Sequence, residues 1–114
     1  MNTVSTIAAL AALALAGSAF AQAPAGDAGR GRQKVQMCQG CHGIEGWRTA
    51  FPEVYHVPRI AGQHPSYFVK ALQAYKSGER THPSMRGIAA TLSDQDMADL
   101  AAYYAAPATA TAGK

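Results

Sequence analysis

The 114-residue chain is poor in cysteine, with only Cys38 and Cys41, separated by two residues. No second pair follows at zinc-finger spacing, which argues against a structural zinc site. A bare pair of this kind can close a disulfide in an oxidising compartment. Lys and Arg are missing ahead of the apolar run at 7–16. That run is also shorter than the ~20 residues a membrane span needs, which argues against an anchor. Internal repeats are missing, so the chain is not a repeat array. Blocks of like charge are missing too. The formal net charge is +3, and Arg30, Arg32, Lys34, Arg48, Arg59, Lys70, Lys76, Arg80 and Arg86 are scattered. A bias this small points to a solvated surface and not to a nucleic-acid partner.

What is present begins with an export signal. The apolar run breaks at Gly17-Ser18, and Ala19-Phe20-Ala21 has the small-x-small form read at a cleavage site. Cleavage after Ala21 would leave about 93 residues, one small domain. The expected organisation is a signal peptide at 1–21, a lead-in at 22–25, one domain at 26–106 and a frayed tail at 107–114. A core of that size is marginal without a staple.

The staple is implied by Cys38-Gln39-Gly40-Cys41-His42. Two cysteines two residues apart with histidine directly after is the attachment signature of c-type haem. Each thiol can add to one vinyl group of the porphyrin, and the rigid macrocycle edge sets the spacing of the sulfurs. The adjoining imidazole can then serve as proximal iron ligand. Two ionised propionates would lower the net charge to about +1.

The helices come in order around this motif. Asp27 is a good N-cap, and Ala28, Gly31, Val35 and Cys38 form one face at helical spacing. Gly31 on that face suggests close approach by another helix or a ring. Met37 reads as packing. Residues 43–62 read as an irregular loop, with Gly43, Gly46 and Pro52 as breakers and Trp47, Phe51, Tyr55 and Val57 without periodicity. His56 reads as an ordinary loop histidine. A helix starts at Pro65, capped by His64 or Ser66, with Tyr67, Phe68, Ala71, Leu72 and Tyr75 facing in, and stops at Gly78. Residues 79–92 read as a second loop. Met85 within it is the candidate distal ligand, because core methionines normally sit on helix faces; His82 is its competitor. The last helix starts at Ser93 with a capping box closed by Asp96. Met97, Leu100, Ala101 and Tyr104 form its core stripe, and Pro107 closes it.

Taken together the stretches resemble a class I cytochrome c, and within it single-haem relatives of the cytochrome c-four group. Those stretches are Cys41-His42-Gly43, Pro58 through Gln63, Tyr67 through Arg80, Met85, and Leu92 through Tyr104. The resemblance implies an all-α small fold, with three main helices and loops around one covalently bound haem c. It implies thioethers from Cys38 and Cys41, and His42 and Met85 as axial ligands of the iron. Pro58 would accept a hydrogen bond from His42, and Gly31 would let the first and last helices cross against Tyr103 or Tyr104. The function implied is that of a soluble periplasmic carrier passing single electrons between redox proteins by transient contact, without a stable membrane anchor. Two other readings remain open: a ligand-binding sensor or weak peroxidase with a displaceable methionine, and an electron-donating subunit of a larger oxidoreductase. The loop at 45–57 is longer than the group pattern.

Overall fold

The computed structural model describes residues 23–51 and 54–106. The segment at 1–21 and the tail from 107 lie outside the described residues.

Asp27 caps the first helix, α1 (Ala28–Lys34), by accepting from the Arg30 N–H at 2.7 Å. A second helix, α2 (Gln36–His42), follows after one residue. The expectation was one continuous helix into the motif. The junction at Val35 is a tightening: the Cys38 N–H donates to the Val35 carbonyl at three-residue spacing, 2.8 Å. Backbone angles at Val35 stay in the helical region.

The stretch read as irregular contains a short antiparallel ladder. β1 (Arg48–Thr49) pairs with β2 (Tyr55–His56), with Arg48 opposite His56 and Thr49 opposite Tyr55. The aromatic residues lacking helical periodicity therefore belong to a hairpin, too short to show alternation.

α3 (Pro65–Ser77) starts where Pro65 sets its first turn, with His64 at the cap position, and stops at Gly78. The stop requires glycine: Gly78 sits at φ 91°, in the left-handed region. Phe68 and Leu72 are buried, as the apolar face predicts, but Tyr67 is 49% exposed. Its hydroxyl instead accepts from Arg80 at 3.1 Å, and the Arg80 guanidinium lies over the rings of Tyr67 and Tyr75.

The second expected loop is largely a helix, α4 (Pro83–Ala90). Pro83 supplies the first-turn φ, His82 caps it, and the Ile88-Ala89-Ala90 run propagates it. Pro and Gly here mark a helix start and a tolerated interior glycine instead of a loop. The last helix, α5 (Asp94–Ala105), has the capping box in full: Ser93 accepts from the Asp96 N–H and Asp96 accepts from the Ser93 N–H.

The core gathers Val35, Phe68, Leu72, Ala89, Leu92, Met97, Leu100, Ala101 and Tyr104. α5 is its axis. Met97 and Leu100 are fully buried, each contributing about 1.5–3 kcal/mol by transfer from water. α1 crosses α5 at Gly31. A Cβ there would meet the Asp99 carbonyl oxygen at 2.2 Å and the Tyr103 Cβ at 2.9 Å. Phe68 stacks on Tyr104 with ring centroids 5.5 Å apart, joining α3 to the same helix. The Gly62 N–H donates to the Tyr104 carbonyl at 2.7 Å, pinning the end of the long loop to α5.

Candidate haem site

α2 carries Cys38, Cys41 and His42 within about one turn. Residues three apart on a helix share a face, so the two cysteines project to the same side. Both are free thiols, Cys38 half-buried and Cys41 exposed. Burial pushes the Cys38 thiol up from its ordinary value, opposed in part by its contact with Tyr104. The Tyr104 hydroxyl is itself buried without a conventional hydrogen-bond partner, and burial and the neighbouring Cys38 drive its pKa upward.

His42 is half-buried at the end of α2. Its Nδ1 lies 2.6 Å from the Pro58 carbonyl oxygen. A carbonyl only accepts, so Nδ1 carries the proton and Nε2 is the nitrogen with a free lone pair. Met85 sits in the first turn of α4, not in a loop. It is half-buried and packs against the core cluster, as does Cys38. His82, the competing residue, is engaged as the α4 cap: its Nδ1 accepts from the Met85 N–H at 3.5 Å. His56 is exposed on β2, where its strand pairs with Arg48. His64 Nδ1 is 2.9 Å from the Ser66 hydroxyl.

These residues fit a haem. Two cysteines free of any disulfide lie on one helix face, an imidazole beside them is oriented with Nε2 available, and the buried Tyr104 hydroxyl adjoins the first cysteine. Trp47, Tyr55 and Phe51 in the hairpin and Met37 and Ile44 around α2 leave large apolar side chains uncovered, Phe51 by 86%. That surface suits an apolar macrocycle better than water.

The family model for cytochrome c matches residues 28–105. The chain belongs to the cytochrome c family. Its cofactor is accordingly covalently bound haem c, with its iron. Over 48 residues the chain is 48% identical to cytochrome c4 of Pseudomonas aeruginosa and, in a second comparison, 50% identical to cytochrome c4 of Thiocapsa roseopersicina. Each match covers 42% of this chain and 24% of the relative, so this cytochrome spans only a fraction of the curated relatives' length. The crystal structure of reduced recombinant cytochrome c4 from Pseudomonas stutzeri matches with a TM-score of 0.58 at 38% identity, over 73% of this chain and 46% of that one. The small, mainly helical cytochrome c fold is therefore shared, with the first helix divided and α4 added to the three main helices expected.

One group in this cytochrome was missed from its sequence. Asp99 is fully buried on α5. Its Oδ1 accepts from the Asp27 N–H at 2.8 Å, from Gln95 at 2.9 Å and from Arg30 Nη2 at 3.0 Å, and its Oδ2 accepts from Arg30 Nε at 2.9 Å. The Arg30 hydrogen bonds, with those from Asp27 and Gln95, hold the carboxyl well below the usual carboxylate range despite burial. Beside it Lys34 pairs with Asp96. The available signal was an acid inside an Ala/Leu stripe with Arg30 on the helix that Gly31 brings across.

Proposed function

We propose that the chain is an exported, periplasmic carrier of single electrons. Cys38 and Cys41 anchor one haem by thioethers, and His42 and Met85 are the axial ligands of its iron. The observation that carries this reading is the His42–Pro58 contact of 2.6 Å. It fixes the tautomer and the ring, and leaves Nε2 for the metal, as an outer partner does for a ligating histidine. The contact also joins α2 to the loop that Gly62 pins to α5, so the ring's orientation is set by the folded core.

The haem supplies a one-electron couple between ferric and ferrous iron. A methionine thioether favours the ferrous state and raises the potential relative to two histidines. With both axial positions supplied by the chain, no coordination site is left for a substrate, which favours a carrier over an enzyme or a gas sensor. The apolar core residues exclude water from the buried side of the site. Partners are other redox proteins, met through a small, short-lived interface. Export rests on the apolar run at 7–16 and Ala19-Phe20-Ala21. Among the described residues no helix is long and apolar enough to cross a membrane.

The test is the protein expressed with haem-attachment machinery, followed by a redox titration monitored by absorption. One haem per chain should titrate as a single one-electron step, and the ferric form should show the sulfur-to-iron charge-transfer band. The haem should survive denaturation, and replacing both cysteines by serine should release it. A ferric spectrum of two nitrogen ligands, or a high-spin one, would overturn the ligand assignment.

A further inference from the structure

The hairpin at 48–56 distinguishes the long loop, and it reaches the helix that carries Met85. The Tyr55 ring meets the His82 ring edge to face, with centroids 5.2 Å apart and planes at 75°. His82 is the N-cap of α4, with extended backbone at φ −63° and ψ 114°. Its Nδ1 accepts from the Met85 backbone N–H at 3.5 Å, a long bond for a cap. The ring contact with Tyr55 is a second, independent hold on the same imidazole. Three residues beyond Tyr55, the Pro58 carbonyl holds His42. One short segment thus touches both prospective axial residues, His42 through Pro58 and Met85 through Tyr55 and His82.

The geometry points to Tyr55 and His82 as positioning residues for Met85. The inference rests on the reading of Met85 as the distal ligand. Neither residue ligates the iron. His82 satisfies the backbone donor of Met85 itself and so anchors the turn from which the thioether projects. Tyr55 keeps the His82 ring in the orientation that lets Nδ1 accept. An aromatic edge-to-face pair is well suited to this, because it constrains ring angle as well as position. Asparagine and aspartate are the commoner caps. A histidine here adds what they lack, a ring face that a neighbouring aromatic can lock. The hairpin, whose large apolar side chains are otherwise exposed, thereby acquires a task at the site.

The test compares four variants of the haem-loaded protein: His82→Ala, His82→Asn, Tyr55→Leu and Tyr55→Phe. The readouts are the charge-transfer band of the ferric form, the midpoint potential, and the affinity of the ferric haem for added imidazole, which competes with Met85. His82→Ala should raise imidazole affinity about fivefold, the factor expected from losing one helix cap. It should also weaken the band and lower the potential. His82→Asn keeps a cap and should recover most of the loss. Tyr55→Leu should reproduce a part of the His82→Ala effect, and Tyr55→Phe, which keeps the ring edge, should not. Adding Tyr55→Leu to His82→Ala should change little further, since Tyr55 acts through His82. Equal imidazole affinity in wild type and His82→Ala, with the band intact, would overturn the inference. So would full additivity of the two substitutions. Met85→Ala separates the two readings. If it leaves the ferric spectrum unchanged, Met85 is not the ligand and the underlying assignment fails. If it abolishes the band while His82→Ala does nothing, only the positioning role fails.

Discussion

Asp99 takes hydrogen bonds from Asp27, Arg30 and Gln95 at the crossing of the first and last helices. Asp99 is buried while Arg30 is half-exposed, so loss of the carboxylate leaves its donors without their acceptor. Its folded-state pKa is depressed, with the Arg30 hydrogen bonds the largest cause. A depressed carboxyl contributes stability above its unfolded pKa of about 3.9, and that contribution is lost as pH falls from there toward the folded value. Thermal unfolding of the haem-loaded protein should therefore show a falling melting temperature as pH drops below about 4. Asp99→Asn should melt lower at neutral pH and show a flatter acid limb. An Asp99→Asn profile parallel to wild type would assign the acid sensitivity elsewhere. His42 works at the same scale, since its tautomer is decided by one carbonyl, that of Pro58.

At the scale of elements, two helix features make contrasting predictions. Gly31 faces backbone: a Cβ there would sit 2.2 Å from the Asp99 carbonyl oxygen. Gly31→Ala must push α1 away from α5, at a cost of about 1–3 kcal/mol in the manner of overpacking. Ser93→Ala removes one half of a complete capping box and should cost about 1 kcal/mol without moving any helix. Denaturant unfolding of both variants checks this; equal losses would mean the crossing can relax more than its backbone contact suggests. The same elements show what was legible in the chain. Asp27, Pro65, Gly78 and Ser93 announced their helix ends through local capping chemistry, and Met97, Leu100, Ala101 and Tyr104 announced a buried stripe through spacing. α4 was not legible, because Pro83 and Gly87 fit a loop as well as a short helix and only packing of Ala89 decides. The hairpin was not legible because two-residue strands carry no periodicity. Asp99 was hidden because Asp27 and Arg30, two of its three partners, lie about 70 residues away in sequence, beyond any local pattern.

For the whole molecule, the arrangement has a small core with α5 as its axis and the proposed cofactor site on α2, the hairpin loop and α4. Cys38, Tyr103 and Met85 border the same buried cluster. Attachment of haem at Cys38 adds apolar burial beside that cluster, and for a domain of this size such a staple matters. The apolar side chains of the hairpin suit that cofactor, and Tyr55 links the hairpin to the cap of α4. The loop that departs most from the resemblance is thus tied to His42 through Pro58 and to the cap of α4 through Tyr55. The central claim is that the chain supplies both axial ligands and so closes the iron to outside molecules. Carbon monoxide tests it most directly. Added to the fully reduced wild-type protein at neutral pH, it should leave the ferrous spectrum unchanged, while the reduced Met85→Ala protein should convert to the carbon monoxide form. Ready conversion of the wild-type protein would contradict a closed electron-transfer site.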